Sequence, residues 1–320
     1  MATIDYGLSG QAIFEAQIWD VKGAIRFLRA NAAGLGLRAD RIAAWGTSAG
    51  GHLTALLATS GGVSDAEGAT GGNASFGSRI MAAVDYFGPT DLLNLSLDFN
   101  PPQPGGSHDQ PTSPESRLIG FSAPGEGIGV LRANQSNPAP PFPEKMRLVT
   151  LANPITHVDR ADPAMFIAHG TNDGAVPIGQ STRLAVALTA TGVPHTYLQV
   201  ASAGHGGLGV ATDTAARDFI ARHLLAGDGD ANLDGQVNIA DFSALAATFN
   251  AAGAWRHGDF DNNGFVTLAD FATLAANFNS TATAAPFGAT VPEASASAAL
   301  FATAVGGLAR RNRSGTPLDA

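Results

Sequence analysis

The chain has 320 residues, of which 45 % are hydrophobic and 14 % charged. That is enough to bury one sizeable core plus a small extra module, and too apolar for a wholly disordered chain. Eighteen Lys and Arg against twenty-seven Asp and Glu leave a net charge of −9, which argues against nucleic acid or an anionic lipid surface as the main partner, and the absence of cysteine excludes disulfides, thiolate metal sites and cysteine nucleophiles.

The opening Met1-Ala2-Thr3-Ile4-Asp5-Tyr6 has neither the basic n-region nor the apolar h-region of a secretory signal. From there to about residue 226, short β-rich runs alternate with helical periods, the pattern of βαβ units and a mostly parallel sheet. A helix-period stretch begins near Ala16 and carries Val21, Ile25, Phe27, Leu28 and Asn31. Strands are predicted at Arg41–Trp45, Ile80–Phe87, Ala164–His169 and His195–Val200, and further helices at Ser48–Ala58, Gln180–Thr191 and Asp213–Leu225. Between them, Asn100–Lys145 is rich in Pro, Gly and Ser with little periodicity and reads as a long loop or lid.

Gly46-Thr47-Ser48-Ala49-Gly50-Gly51-His52 follows a strand and opens a helix, the context of a nucleophile elbow. The glycines permit a tight turn that lifts the Ser48 hydroxyl above the sheet, and the Ala49 N–H at the helix start faces a developing oxyanion. A serine hydroxyl needs a base, and the base an orienting carboxylate. Asp173 in Asn172-Asp173-Gly174 and His205 in Gly204-His205-Gly206 each stand just past a strand, at the same edge of the sheet as Ser48 and in the chain order Ser, acid, His. His52, His157, His169 and Asp91 are competitors: His52 braces the elbow on this reading, and His169 supports the acid loop.

Two segments beyond residue 226 repeat each other, with Asp259 standing 29 residues after Asp230. Each runs a loop into a near-identical helix, Ala240–Phe249 and Ala269–Phe278. Calcium loops need hard oxygens at positions 1, 3, 5, 7, 9 and 12 and Gly at 6. The first repeat supplies Asp230, Asn232, Asp234, the Gln236 carbonyl, Asn238 and Asp241 around Gly235; the second supplies Asp259, Asp261, Asn263, the Phe265 carbonyl, Thr267 and Asp270 around Gly264. Phe242, Leu245 and Phe249 with their mates Phe271, Leu274 and Phe278 are helix-spaced and are expected to form the shared core. A Ser/Thr/Ala/Pro linker, an uncharged run Ala294–Ala309 too short for a confident membrane span, and Arg310-Arg311-Asn312-Arg313 close the chain.

Residues from about Ile4 to Leu225 resemble the α/β-hydrolase esterases of the feruloyl and acetylxylan esterase-like group, near the hormone-sensitive-lipase-like carboxylesterases. The stretches that carry this are Ile4–Ser9, Gln17–Lys22, Trp45–Leu53, Ser113-Pro114-Glu115-Ser116, Ala152–Thr156, the acid loop and Ala203–Gly206. The resemblance implies an ester hydrolase with Ser48 as nucleophile, Asp173 as acid and His205 as general base. It also implies a His-Gly-Gly-Gly-like loop ahead of residue 5 and a strand between Thr3–Tyr6, itself expected as a strand, and Arg41–Trp45. The chain is therefore expected to be N-terminally short, with its export signal, first strands and oxyanion loop upstream of Met1.

With Asp at position 12 and one loop-helix per repeat, the repeat pair resembles a type I dockerin, which implies two Ca2+ ions and a cohesin-like partner. The residues just before position 12, Ile239-Ala240 and Leu268-Ala269, lack the hydroxyls common at that place. Val291-Pro292-Glu293, the apolar run and the Arg cluster resemble a PEP-CTERM sorting tail, which implies an exosortase-like protease and a destination in the cell envelope or outside the cell. The organisation expected is an α/β-hydrolase domain over 1–226, a small all-α dockerin-like module over 227–279, a linker over 280–290 and a sorting tail over 291–314. The leading expectation is an exported carboxylic ester hydrolase acting on short-chain or carbohydrate-linked esters. A serine peptidase of the prolyl oligopeptidase type and a non-catalytic calcium-dependent scaffold are the rivals.

Overall fold

The computed structural model describes residues 1–281; the linker beyond Thr281 and the sorting-tail motif at 291–314 lie outside the described residues. Four parallel strands, β1 (Ala43–Thr47), β2 (Ala82–Tyr86), β3 (Ala164–Gly170) and β4 (His195–Val200), lie in the order β1-β2-β3-β4. Each adjacent pair is in parallel register, Trp45 opposite Val84, Asp85 opposite Ile167 and Ile167 opposite Tyr197. Parallel neighbours need crossovers, and these are helical: α1 (Ala16–Ala30) and α2 (Ala32–Leu35) lead into β1, α3 (Ala49–Thr59) and α4 (Ser64–Glu67) join β1 to β2, and α8 (Gly179–Thr191) joins β3 to β4. Between β2 and β3 run α5 (Pro114–Leu118), α6 (Ile128–Ala133) and α7 (Phe142–Ala152); α9 (Val210–Leu224) follows β4.

The two inner strands, β2 and β3, are buried on both faces, while β1 and β4 are partly exposed, and the side chains divide by the period of two. Ala83, Met165 and Ile167 join the larger core with α1, α3 and α8, where Ile18, Ile25, Leu53, Leu56, Leu57 and Leu184 are buried. Val84, Tyr86, Phe166 and Ala168 face the other way, against Ala216, Phe219 and Ile220 of α9. Because α3 is wedged between α1 and the sheet, it is apolar nearly all round. By contrast α1 buries one stripe and leaves Phe27 in solvent. On the buried side of α1, Lys22 donates to the Ser60 carbonyl at 2.7 Å and to Glu67 of α4 at 2.8 Å, so its charge is paired rather than stranded.

Two sequence expectations are corrected here. Thr3–Tyr6 is not a strand: the described sheet ends at β1, so this segment has no ladder to join, and Ile4 and Tyr6 instead pack on the core. The Asn100–Lys145 stretch is not a structureless loop. It contains α5 and α6, with Ser113 accepting from the Ser116 N–H as N-cap and Pro114 at the first helical position, and it anchors Ile119, Phe121, Ile128 and Leu131 in the core. Arg132 pairs with the buried Asp109 and donates to the Leu93 carbonyl at 2.8 Å, pinning the segment.

The repeats form helices α10 (Ile239–Thr248) and α11 (Leu268–Asn277), each opened by a capping box, Asn238 with Asp241 and Thr267 with Asp270. Their shared interior is smaller than the helix spacing implied. Leu245 and Leu274 are buried, together with Val237, Trp255, Phe260 and Val266. Phe242, Phe249, Phe271 and Phe278 are each more than a third exposed, with Phe242 edge-on to Phe271. Two ten-residue helices enclose too little volume to bury four phenylalanines as well.

Candidate active site

The turn after β1 places Ser48 at φ 53°, ψ −121°, a left-handed conformation rare for a residue with a side chain. Close packing makes the turn possible. A Cβ on Gly46 would lie 2.0 Å from the Gly50 carbonyl oxygen, and one on Gly51 would lie 2.4 Å from Asp85 Oδ1. The Ser48 N–H donates to the Tyr86 carbonyl at 2.9 Å, tying the elbow to the end of β2. Ala49 is the first residue of α3, so its N–H has no intrahelical acceptor.

The structure brings Ser48, His205 and Asp173 together from the loops after β1, β4 and β3. Ser48 Oγ lies 2.9 Å from His205 Nε2, and His205 Nδ1 lies 2.8 Å from Asp173 Oδ2. Asp173 is held in turn: its Oδ1 accepts from the N–H groups of Ala175 (2.8 Å) and Val176 (2.9 Å). Burial alone pushes its carboxyl upward, but hydrogen bonds from His169, the Val176 N–H, His205 and the Ala175 N–H outweigh it and bring it down to about 2. Asp173 is thus an anion that accepts the Nδ1 proton of His205 and leaves Nε2 as an acceptor for the serine hydroxyl.

The competing residues have other duties. His169 Nε2 stands 2.9 Å from the Val176 carbonyl and 3.2 Å from Asp173 Oδ2, while its Nδ1 is 2.7 Å from the Ser181 hydroxyl. The two acceptors put the proton on Nε2, and Ser181 donates to Nδ1. His52 is buried in α3 with Nδ1 2.8 Å from the Pro89 carbonyl, and burial pushes its pKa down. His157 bonds the Leu151 carbonyl, and Asp91 accepts from Asn94 and Asn153.

Two residues escaped the sequence reading. Phe87, buried and at φ 47°, presents its ring 4.7 Å from the His205 ring and 6.2 Å from that of His169, centroid to centroid. Its N–H donates to Ala168, and the next N–H, of Gly88, donates to Asp85 Oδ1 at 2.9 Å. Burial pushes the Asp85 carboxyl up to about 6 against that bond. The Gly88-Pro89 pair just beyond Phe87 marks a turn at the strand end and was the available signal. Beside the triad a cleft of about 390 Å3 is lined by Trp45, Thr47, Tyr86, Phe87, Gly206 and Leu208.

The repeat loops share one hydrogen-bond frame. Asp230 accepts from the N–H groups of Asp234 and Gly235, and Asp259 from those of Asn263 and Gly264. Asp241 Oδ1 accepts from Ala231 and Asn232, and Asp270 Oδ1 from Phe260 and Asp261. In the second loop, carboxylate oxygens of Asp259, Asp261 and Asp270 lie within 4.8 Å of one another. Burial, then the charges of Asp261 and Asp270, push Asp259 up to about 7. Three converging carboxylates, those of Asp259 and Asp270 buried and that of Asp261 exposed, fit a hard divalent cation, whose charge offsets the cost of ionising the buried Asp259. Gly235 (φ 85°) and Gly264 (φ 95°) make the sharp turn of position 6.

Comparison with known proteins agrees with the fold. The BD-FAE family model matches residues 1–188. Esterase LipQ of Mycobacterium tuberculosis is 30 % identical over 204 residues, 63 % of this chain and 41 % of that protein; the chain spans about two fifths of the length of the curated relatives it matches. A solved structure described as a truncated form of a carbohydrate esterase from gut microbiota is 33 % identical with a TM-score of 0.58, covering 69 % of this chain and 73 % of that one. A bifunctional GH43-CE protein of Bacteroides eggerthii is 35 % identical with a TM-score of 0.57, over 69 % of this chain and 26 % of its own. The parallel sheet with its strand-end serine is an α/β-hydrolase-like fold, and the chain belongs to the BD-FAE family.

Proposed function

We propose that this chain hydrolyses carboxylic esters, with acetyl or feruloyl esters of carbohydrate as the substrate class. The observation that carries the reading is the Ser48–His205–Asp173 hydrogen-bond chain at 2.9 and 2.8 Å, in a fold whose relatives are named esterases. Ser48 Oγ attacks the ester carbonyl carbon as its proton passes to His205 Nε2, and the new oxyanion meets the Ala49 N–H. Collapse expels the alcohol, which takes the proton back from His205 and leaves an acyl-serine. Water then attacks the acyl carbon, losing a proton to His205; the acid departs and Ser48 recovers its hydrogen. Asp173 stays ionised throughout and holds the imidazole in register.

The repeats bind two Ca2+ ions on this proposal, one held by Asp230, Asn232, Asp234, the Gln236 carbonyl, Asn238 and Asp241, the other by Asp259, Asp261, Asn263, the Phe265 carbonyl, Thr267 and Asp270. Calcium supplies charge balance and loop order there and no step of the hydrolysis. The dockerin-like module and the PEP-CTERM-like tail support export to the cell envelope or beyond, a cohesin-like partner and processing by an exosortase-like protease. Hydrolysis of p-nitrophenyl acetate and of an acetylated xylo-oligosaccharide tests the esterase reading: Ser48→Ala is expected to lower kcat at least about a thousandfold. Equal turnover by the parent chain and Ser48→Ala would overturn it.

A further inference from the structure

The strands begin as well as end at a functional surface. Arg38, Asp40 and Arg41 lie just ahead of β1, Arg79 and Met81 just ahead of β2, and Arg160 and Asp162 just ahead of β3. All of them meet the repeat module. Met81 is buried in the module's own core with Ala231, Leu245, Trp255 and Val266. Arg41 stacks over the Trp255 ring with its guanidinium carbon 3.9 Å from the centroid, and it pairs with Asp228 at 2.6 Å. Trp255 Nε1 in turn donates to the Asp230 carbonyl at 2.7 Å, so the ring connects the first loop to the hydrolase body. Arg256 Nη1 donates to the Asp162 carbonyl at 2.7 Å.

The two loops, alike in sequence and hydrogen bonding, are unlike in what they touch. Position 4 has positive φ in both, Leu233 at 61° and Asn262 at 55°. Leu233 turns back on the module's core. Asn262 is buried and donates from Nδ2 to the Asp40 carbonyl at 2.7 Å. At position 6 the contrast recurs: a Cβ on Gly235 would meet nothing within 4 Å, whereas one on Gly264 would lie 2.4 Å from Arg79 Nε. The buried Arg29 also faces the charges of Asp259 and Asp261. At positions 4 and 6 the body has therefore closed on the second loop and not on the first.

We infer that the repeat pair is a cation-dependent clamp on the floor of the hydrolase sheet, with the second loop, through Asn262, as the contact that couples divalent-cation binding to the stability of the body. This rests on the calcium reading of the loops. The stabilising sign follows from a cation that binds the folded loop and not the unfolded chain. With Asp259, Asp261 and Asp270 ionised around a divalent cation the loop stays net negative, so its attraction to Arg29 is weakened without being reversed. The ordering gained by the loop fixes the backbone on which Asn262 and Gly264 sit.

The test is scanning calorimetry of the full chain with calcium chloride or EDTA, alongside terbium luminescence to report loop occupancy. Calcium at a hundredfold over its Kd is expected to move a single transition, containing both module and body, upward by roughly 5–10 °C. Asn262→Leu, which installs the first loop's own residue, is expected to retain terbium binding while the body's transition loses its response to calcium. Two transitions in the parent chain, with only the smaller one calcium-sensitive, would overturn the clamp and leave calcium binding intact. Absence of terbium emission would overturn the calcium reading and the clamp with it.

Discussion

Asp173→Asn is a small change whose consequence follows from the donors around it. Oδ1 accepts two backbone N–H groups, from Ala175 and Val176, at 2.8 and 2.9 Å. Those donors hold the asparagine carbonyl oxygen at Oδ1 and force its NH2 into the place of Oδ2, facing His205 Nδ1 and His169 Nε2. An amide N–H opposite Nδ1 makes Nδ1 the acceptor and moves the His205 proton to Nε2. The imidazole then presents an N–H to Ser48 instead of a lone pair, and the hydroxyl has lost its base. Loss of the correct tautomer in a serine triad costs on the order of 10⁴ in kcat, with KM for a short ester little altered. Stability changes too. Lowering a carboxyl from its ordinary 3.8 to about 2 stabilises the ionised fold by roughly 2 kcal/mol. A depressed pKa gives stability that is present above about pH 4 and lost as pH falls towards 2, so the parent should lose Tm across that window and Asp173→Asn should lack that component. Steady-state hydrolysis of p-nitrophenyl acetate and Tm measured from pH 2 to 7 read both effects. A variant retaining more than about a tenth of the parent kcat would refute the reasoning.

Asp85 carries the opposite sign: with its carboxyl raised to about 6, the fold holds a proton that the unfolded chain releases, so this group's contribution to stability falls as pH rises from about 4 to 6. Asp85→Asn keeps an acceptor for the Gly88 N–H and should flatten the Tm profile across that interval when compared with the parent pH by pH. Phe87→Leu removes the ring that lies against both His205 and His169; kcat is expected to fall roughly ten- to a hundredfold with KM little changed, whereas a raised KM with kcat unchanged would assign Phe87 to substrate binding instead.

The parts of this molecule that could be read from sequence are those set by neighbours along the chain. All four strands show as apolar runs, most ending at Gly or a turn residue, α3 shows as an apolar run, and α1, α8 and α9 show as helix-period stretches between and after them. Ser48, Asp173 and His205 were findable because parallel strands send every strand-end loop to one edge, so order along the chain became proximity in space. Thr3–Tyr6 misled because strandness is a property of a pair, and its apolar residues found the core without a ladder. The short helices α5 and α6 were hidden by the Pro and Gly residues around them, although Ser113-Pro114 is a helix start in plain view. The exposure of Phe242 and Phe271 depended on how much interior two short helices enclose, which periodicity does not measure. The stacking of Arg41 on Trp255 joins residues from different modules, and no local pattern announces it.

Because the repeat module grips the beginnings of the strands and the triad stands at their ends, β3 alone, seven residues long, separates the two by about 23 Å of rigid backbone. Ile239 and Leu268 are the most exposed apolar side chains of α10 and α11 and take no part in that joint's core. Anything that seizes them would hold the hydrolase as a fixed head rather than as a weight on a string. A flexible tether spreads its cargo over a volume and so sets a local concentration. A rigid mount sets a direction as well, and here the catalytic face stands at the strand ends opposite those the module grips.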